Sequence, residues 1–461
     1  MPWSNIDGDK RLTQAPVLAG WCRFFLVLTR IGREEGCFRM DDYKTFADPH
    51  RISARVDQLA AITEMDRPYT RLVFSAEFRR GRDWLFNIFN EAGLVCTIDS
   101  GGSLIGTRAG TGVLPRKKVI VGSHIDTVPA GGRFDGIAGV LAALELVHYL
   151  NDQNIDLPFD LEIIDFLGEE LNVWGLSCLG SRHMAGLITE EMLSRTDPNG
   201  RSLGTEIARI GGSGRPSEGV RPDADQILGC LELHIEQATI LESHGVDIGV
   251  VTAIPGIYRY GITVTGQAGH SGTTRMAGRQ DALVAAANII TKVSALANKI
   301  AQDDNQHFVA TIGRIDVFPN GAAIVPGQAD MTLDLRAASD HAKLRFEKAF
   351  ESLLETTGAA SQCKISYRQL AAAAAAPMDA ELMETLSAES RALGLSVMPI
   401  SSGAGHDTAH LSRFAPAAMI FIPCANGLSH CPEEFATSEA IAKGAAVIIR
   451  TVLKMAGARA T

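Results

Sequence analysis

The sequence contains 461 residues, of which 46% are hydrophobic and 21% charged. This length predicts two compact units, and the composition is typical of a soluble globular enzyme. The formal net charge of -10 argues against nucleic acid as a partner, because phosphate binding needs clustered Lys and Arg.

The eight cysteines form no CxxC pair, so neither a disulfide framework nor a structural zinc knuckle is expected. A reducing, cytoplasmic location is favoured. Residues 1–46 are predicted to be an N-terminal extension that is poorly ordered. Its apolar stretch at 19–28 is interrupted by Arg23 and is too short to span a membrane, so no membrane partner is expected.

From residue 47, helical periodicity alternates with apolar strands. The predicted elements are helices after Asp48, at 78–92 (ended by Gly93) and after Gly136, and strands at 94–98, 104–107, 119–122 and 159–166. This alternation predicts an α/β fold with a doubly wound, mostly parallel sheet.

Polar side chains follow two of these strands. His124 and Asp126 come after the strand at 119–122, and Asp135 precedes the next helix; Glu169 and Glu170 follow the strand at 159–166. A single strand-end histidine or Glu pair is commonly structural. Because ligands bind at the carboxyl edge of open α/β sheets, the combination favours a divalent-metal site.

The pattern changes at residue 254. Residues 254–368 are predicted to form an inserted α+β domain, with strands at 258–265, 309–317 and 329–336, a helix at 281–300, a strand near Tyr367 and a glycine-rich loop at 266–272. The alanine-rich run 371–376 is expected to be a helical or flexible linker. The catalytic domain would then comprise residues 47–253 and 369–461.

Three further segments supply polar groups. ELHIEQ presents His234 and Gln237, although this segment alone also fits an edge strand. A glycine-rich loop at 403–405 follows the strand at 397–400. His430 follows the strand at 417–422, before a final helix at 438–455.

Together these residues provide two sites of nitrogen and oxygen ligands that could share one carboxylate: His124, Asp135, Glu170, His234 and His430. Such ligands suit two divalent ions, Zn²⁺ or Mn²⁺, Co²⁺ or Ni²⁺. Glu169 is then free to act as general base, and Asp126 is a candidate carboxylate to orient the His124 imidazole.

The ordered motifs GSHIDTVPAGGRFDG, ELHIEQ, GQAGHSG, SGAGHDT and GLSHCPEE, with the Glu pair, resemble those of a group of dinuclear-metal amidases. The group comprises N-carbamoyl-L-amino acid hydrolases, yeast-type β-ureidopropionases and allantoate amidohydrolases, relatives of aminoacylase-like metallopeptidases. The resemblance runs from about residue 48 to the C-terminus. It implies a catalytic domain with an inserted lid that also forms a homodimer, and a small ureido carboxylate as substrate.

The implied reaction cleaves the carbamoyl C–N bond of an N-carbamoyl-L-amino acid, giving amino acid, ammonia and carbon dioxide. A metal-bridging water would attack, with Glu169 as base. His124 and His234 would hold one metal, Glu170 and His430 the other, and Asp135 would bridge them. His270 would cross to the partner subunit's site and stabilise the oxyanion.

The resemblance also implies substrate contacts. Arg336 would bind the substrate carboxylate through two hydrogen bonds. Gln237 and the loop of Gly403, Ala404 and Gly405 would contact the ureido and carboxylate ends.

The sequence departs from the group at two places. LNVW at 171–174 replaces the common Gly-Ser-Arg-Phe, and AIVP at 323–326 replaces Asn-Val-Ile-Pro. The second change removes a substrate-binding Asn unless Asn320 supplies that contact. Both changes bear on the substrate rather than the reaction.

Other functions are alternatives to this one. Allantoate amidohydrolase and β-ureidopropionase stay within the class. An aminoacylase or dipeptidase is disfavoured by His234, where those relatives place an acidic ligand. A non-catalytic binding protein should have lost Glu169 or a ligand, and a cysteine hydrolase using Cys424 or Cys431 lacks an evident base.

Overall fold

The computed structural model describes residues 42–304 and 307–457. The predicted extension therefore lies outside the described residues as far as residue 41. Its last residues correct the prediction, because Asp42–Thr45 form a 3-10 helix and Tyr43 and Phe46 are buried in the main core. The Phe46 ring lies 5.1 Å from that of Tyr149. Aromatic side chains bury large apolar areas, which anchors this segment.

The described residues alternate strands with helices and include one long antiparallel segment. In chain order, the strands are β1 (Val95–Ile98), β2 (Leu104–Arg108), β3 (Lys118–Ser123), β4 (Asp160–Asp165), β5 (Ile227–Ile235), β6 (Ile248–Val251), β7 (Ala253–Ile254), β8 (Gly256–Thr265), β9 (Gly269–His270), β10 (Phe308–Phe318), β11 (Ile324–Val325), β12 (Gln328–Ala337), β13 (Lys364–Ala373), β14 (Ala376–Pro377), β15 (Val397–Ile400) and β16 (Ala417–Ile422).

The α-helices are α1 (Pro49–Ala60), α2 (Ala76–Glu91), α3 (Ile137–Asp152), α4 (Leu179–Met184), α5 (Glu190–Ser194), α6 (Leu203–Arg209), α7 (Ile240–His244), α8 (Ala282–Asp304), α9 (Asp340–Ser361), α10 (Ala380–Ala392), α11 (Thr408–Leu411) and α12 (Ser438–Met455). Further 3-10 turns lie at Ala224–Gln226 and Ala425–Gly427.

Eight strands form the main sheet in the order β1-β2-β4-β3-β5-β16-β6-β15. The pairs β3–β4, β3–β5, β5–β16 and β6–β15 are parallel, which confirms the predicted mostly parallel α/β class. Val119, Ile120 and Val121 are buried on both faces of β3, hence its continuous apolar run. Because β5 lies between β3 and β16, ELHIEQ belongs to a central strand and not to an edge.

Helix α3 lies directly against the strands that carry the candidate ligands. It is apolar around almost its whole circumference, as expected for a helix buried between the sheet and α12. Gly139 permits the close approach: a Cβ there would lie 2.6 Å from Ser123 Cβ and would overlap the Leu233 carbonyl oxygen. The helix start is thereby held at the carboxyl ends of β3 and β5.

The antiparallel segment, which we call the inserted domain, comprises β8 to β13. Its sheet has the order β10-β12-β8-β13, and α8 and α9 pack on one face around a separate core that includes Ile289, Val293, Phe346 and Phe350. The chain enters the inserted domain after β7 and leaves it before β14, and these two strands pair with each other. The main sheet thus carries no strand from the inserted domain.

The run 371–376 corrects a prediction. Instead of a helical or flexible linker, its first three residues continue β13, where Ala371 and Ala373 pair with Arg259 and Ile257 of β8. Alanine has a low strand propensity, so a run of alanines does not predict a strand. The ladder with β8 supplies the stabilisation that the side chains lack, and β13 passes the domain boundary expected at residue 368.

Helix α8 is the one described helix long and apolar enough, over Ala282–Asp303, to cross a membrane. Its inward face carries Ala285, Ala286 and Ile289, which are fully buried against the inserted domain's sheet. The helix therefore packs one face on the core of the inserted domain and leaves the other face exposed.

Gly139→Ala should destabilise the protein by about 1–3 kcal/mol, because the new methyl group must displace β3 or β5. Gly313→Ala is the matched control, since a Cβ at Gly313 meets nothing within 4 Å. Urea unfolding of both variants tests this. Equal stability of the two would show that the close approach of α3 is not required.

Candidate dinuclear metal site

Asp135 lies at the centre of the predicted site, and its two carboxylate oxygens face different histidines. Oδ1 lies 3.1 Å from His234 Nε2 and 3.4 Å from His124 Nε2. Oδ2 lies 3.4 Å from His430 Nε2, which is also 3.2 Å from Glu170 Oε1. Two groups of potential metal ligands therefore meet at one shared carboxylate: His124, Asp135 and His234, and Asp135, Glu170 and His430.

Main-chain carbonyls orient the two buried histidines. The ring Nδ1 of His124 lies 3.0 Å from the Asp126 carbonyl oxygen, and that of His234 lies 2.9 Å from the Ile235 carbonyl oxygen. Each Nε2 is thereby turned towards Asp135. His124 Nε2 is buried without a hydrogen-bond partner among the described residues, which fits a nitrogen placed to bind a metal ion.

Gly136 permits this arrangement at the start of α3. Its φ is +67°, and a Cβ there would collide with the His124 imidazole. The glycine of the DG pair, which also suits an ordinary turn, is thus required by the ring beside it.

Asp126 acts differently from the expectation. Its carboxylate was predicted to orient His124, but the acceptor is its main-chain carbonyl, and Oδ1 is 3.7 Å from the ring. The carboxylate instead accepts hydrogen bonds from the backbone N–H groups of Glu169 (3.2 Å) and Glu170 (3.1 Å). Asp126 therefore fixes the strand end that carries both glutamates.

Glu169 and Asp135 have opposite electrostatic surroundings. Burial and the negative charges of Glu170 and Asp407 raise the pKa of Glu169 well above its usual value, against the effect of His124. Burial acts in the same sense on Asp135, but the adjacent histidines prevail and hold the pKa of that carboxyl well below its usual value. Glu169 Oε2 lies 3.7 Å from His124 Nε2. The Glu169 carboxylate is therefore next to the first group of potential ligands, formed by His124, Asp135 and His234.

A buried carboxylate that the sequence analysis missed supports Asp135. Glu434 accepts hydrogen bonds from the N–H groups of Phe134 (2.8 Å) and Asp135 (3.0 Å), and from the Ser429 hydroxyl (2.9 Å). Ser429 and Gln237 Nε2 also lie 2.8 and 2.6 Å from Asp135 Oδ2. The paired glutamates in CPEE were the available signal.

Other buried polar residues were also missed. Glu232 joins β5 to β3 and α11 by accepting from the Ser123 and Thr408 hydroxyls. Asp407 accepts from the Ser181 hydroxyl at 2.6 Å, and the His406 ring lies 4.6 Å from that of His234. The prediction named residues 403–405 because of the glycines in SGAGHD. The next two residues, His406 and Asp407, are more deeply buried.

An open cavity of about 490 Å³ adjoins the ligand groups and reaches the inserted domain. Glu169, Glu170, Gln237 and Arg336 line it, as do Ala404 and Gly405. Gly403 accepts a 2.8 Å hydrogen bond from Arg336 Nη1. The structure thus brings these predicted substrate-binding residues together.

His270 and Asn320 are not brought to this cavity by their own chain. Both are exposed on the inserted domain, where β9 pairs with β11. His270 Nδ1 accepts hydrogen bonds from the Gly272 and Thr273 N–H groups. Their predicted roles stay predictions, which for His270 require a second subunit.

In the loop at 171–176, which includes the unexpected LNVW segment, side chains face two different environments. Leu171 and Leu176 line the cavity. Trp174 points elsewhere, packing edge-on against Phe74 and donating its indole N–H to the Arg201 carbonyl. The unusual tryptophan therefore anchors the loop.

Burial disfavours Cys424 and Cys178 as nucleophiles. Cys424 is buried, and burial raises the pKa of its thiol to about 11. Cys178, which the sequence analysis did not weigh, lies closer to the chemistry, with Sγ 3.7 Å from Glu169 Oε1, but burial and Glu169 raise its pKa well above the usual value.

A family model described as Peptidase family M20/M25/M40 matches residues 120–454. The chain belongs to this family. An N-carbamoyl-L-amino-acid amidohydrolase of Pseudomonas sp. (strain NS671) is 33% identical over 409 residues, 88% of this chain and 97% of the relative. An allantoate amidohydrolase of Bacillus subtilis (strain 168) is 30% identical over 393 residues, 85% and 93% of the two chains.

A solved structure, a hydantoinase/carbamoylase family amidase from Burkholderia multivorans, superposes with a TM-score of 0.80 at 34% identity, covering 90% of this chain and 99% of that one. As a member of the M20/M25/M40 family, the protein is a hydrolase of C–N amide bonds. Enzymes of the family use divalent metals, and the two imidazole–carboxylate groups around Asp135 fit that requirement.

Glu434→Ala should weaken metal binding about 10- to 100-fold, because the Asp135 backbone and Ser429 lose their common acceptor. Glu433→Ala changes the neighbouring, exposed glutamate and is the control. Metal content after dialysis against a graded chelator series measures the effect. Unchanged metal retention in Glu434→Ala would contradict the supporting role.

Proposed function

We propose that the protein hydrolyses the carbamoyl C–N bond of N-carbamoyl-L-amino acids, giving the amino acid, ammonia and carbon dioxide. The observation that carries the proposal is the shared Asp135 carboxylate, with Glu169 beside it and Arg336 lining the same cavity. The names of the relatives support this substrate class. Allantoate, the substrate in the name of a second relative, is the alternative.

Two divalent ions complete the proposed site. His124, His234 and Asp135 would hold one, and Glu170, His430 and Asp135 the other. When bound, such a pair lowers the pKa of a water molecule and polarises a carbonyl oxygen. The ligands suit Zn²⁺, Mn²⁺, Co²⁺ or Ni²⁺.

Glu169 is the proposed general base. Asp126 fixes its backbone, and its carboxylate lines the cavity beside the first ligand group. Glu169 takes a proton from the attacking water as oxygen adds to the ureido carbonyl carbon. The same carboxyl then delivers that proton to the leaving nitrogen when the C–N bond breaks. The carbamic acid that remains loses carbon dioxide spontaneously, which releases the second nitrogen.

Gln237 favours a ureido group over an acetyl group. Its Nε2 donates to Asp135 and to Ser429, so its amide orientation is fixed. Its Oε1 is buried without a hydrogen-bond partner among the described residues. A terminal ureido N–H can donate to this oxygen, whereas an acetyl methyl cannot.

Arg336 is the proposed carboxylate-binding residue. Nη1 is held by the Gly403 carbonyl, and Nε lies 3.5 Å from Asp334 Oδ1. These contacts hold the guanidinium at the wall of the cavity, and its planar donors match a carboxylate. The substrate's carboxylate and ureido group would then bind to opposite walls.

A homodimer formed through the inserted domain, in a reducing cytoplasm, completes the proposal. His270 would stabilise the oxyanion in the partner's cavity, which fits its exposure away from its own cavity. The six cysteines within the described residues are all free, in keeping with a reducing location.

Glu169→Ala should keep its metal and lose turnover about 10²- to 10⁴-fold. Ammonia release by metal-reconstituted protein, with metal content measured in parallel, is the test, and Glu190→Ala is a surface control. The panel contains N-carbamoyl-L- and D-amino acids, N-carbamoyl-β-alanine, allantoate and an N-acetyl amino acid, with free amine followed for the last. Near-normal activity of Glu169→Ala would disprove the base assignment, and turnover of acetyl substrates alone would make the enzyme an aminoacylase.

Mixed dimers test whether His270 acts across subunits. Glu169→Ala and His270→Ala homodimers should each be nearly inactive. A heterodimer of the two has one site with both groups intact if His270 acts in trans, and should regain about half of the wild-type activity per dimer. A heterodimer as inactive as its parents would place His270 in its own subunit's site or outside catalysis.

A further inference from the structure

The lining of the cavity includes two arginines that lie outside the inserted domain and that the proposed reaction does not use. Arg182 on α4 and Arg195 at the end of α5 both line the cavity. Leu171, Leu176 and Met192 line the same cavity and supply apolar surface. We call these five residues the side wall.

Arg182 is fixed in place but not neutralised. Its Nε donates to the Ser177 carbonyl at 2.8 Å, which sets the plane of the guanidinium. Among the described residues, no carboxylate lies within ion-pair distance of it. Its terminal nitrogens thus remain available to a ligand.

Arg195 is nearly as free. Within the described part of the chain, its one ion pair is with Glu191, at 3.3 Å, and the Glu191 side chain is 83% exposed. Such exposed pairs contribute little and compete weakly with a ligand. The opposite end of the guanidinium reaches the loop of the side wall, where a Cβ on Gly175 would lie 3.9 Å from Arg195 Nη1.

The two arginines of the inserted domain that line the cavity are already engaged, unlike those of the side wall. Arg259 Nε is 2.9 Å from Asp334 Oδ2, and Arg336 is the residue proposed to bind the α-carboxylate. A substrate with one carboxylate needs Arg336 alone. The side wall therefore holds two guanidinium groups in excess of what a monocarboxylate requires.

The loop that forms part of the side wall is pre-organised. The Asn172 side chain accepts from the Trp174 and Leu176 N–H groups at 3.1 and 3.4 Å, and the Trp174 indole is anchored to the Arg201 carbonyl. Leu171 and Leu176 are thus held at the cavity without a ligand present, which lowers the ordering cost of binding.

We propose that the side wall is a side-chain pocket for an anionic substrate, an N-carbamoyl-L-amino acid with a second carboxylate. The apolar residues would contact the methylene groups, and Arg182 with Arg195 would bind the distal carboxylate. This inference rests on the proposed function and narrows its substrate class to ureido dicarboxylates, the N-carbamoyl derivatives of glutamate and aspartate.

The test compares N-carbamoyl-L-glutamate with two controls of similar size, N-carbamoyl-L-glutamine and N-carbamoyl-L-methionine, using metal-reconstituted enzyme. The glutamate derivative should have a kcat/KM about tenfold or more above either control, through a lower KM. In Arg182→Gln and Arg195→Gln this advantage should fall about tenfold each, while the methionine derivative changes less than about twofold. Arg391→Gln, on the surface of α10, is the matched control.

Binding supplies a second measurement that does not depend on turnover. Calorimetric titration with L-glutamate, the expected product, should show a Kd about tenfold higher in Arg182→Gln than in wild type, with no such change for L-methionine. Equal kcat/KM for the three ureido substrates, or parallel losses for all of them in the arginine variants, would overturn the side-wall proposal and leave the carbamoyl activity standing. Absence of turnover for every ureido compound would instead overturn the proposed function.

Discussion

The arrangement of the site depends on one carboxylate whose two oxygens are committed to different partners. Asp135 stands two residues before the first residue of α3, so the position of that helix fixes where Oδ1 and Oδ2 point. Glycine at 136 and 139 allows the helix to approach His124 and the strands that closely. A shift of α3 would alter both ligand groups at once, which links the packing of the core directly to the chemistry.

The surroundings of Asp135 gather negative charge away from water. Asp126, Glu169, Glu170, Glu232, Asp407 and Glu434 are all buried close to it. Burying a charge is costly unless it is paired and hydrogen-bonded. Asp126, Glu232 and Glu434 meet that cost through backbone N–H and hydroxyl donors, whereas Glu169 and the ligand carboxylates depend more on cationic partners. Divalent metal binding and the stability of this region are therefore coupled.

The sequence predicted the main sheet and the strand ends where the candidate metal ligands come together, because both follow from strong local signals. Continuous apolar runs mark buried parallel strands, and the polar residues at their carboxyl ends must meet at one edge.

The supporting residues were harder to recognise. Glu434 is 299 positions from Asp135, and an exposed and a buried glutamate look alike in CPEE. The strand of alanines after residue 370 was misread because its stabilisation comes from the neighbouring strand. Asp126 was correctly placed, but which of its oxygens accepts from His124 depends on backbone geometry that spacing does not reveal.

The paired strands β7 and β14 have a consequence for how this architecture can change. Ala253 and Pro377 are partners in that ladder, so the two connections to the inserted domain lie side by side. All five candidate metal ligands are outside the intervening segment, whereas Arg336 and His270 are within it. An insertion joined through two adjacent connections can change in length and surface without displacing the residues around Asp135. Of the residues proposed to bind substrate, Arg336 would change with the insertion, whereas Arg182 and Arg195 of the side wall would stay with the candidate metal ligands outside it.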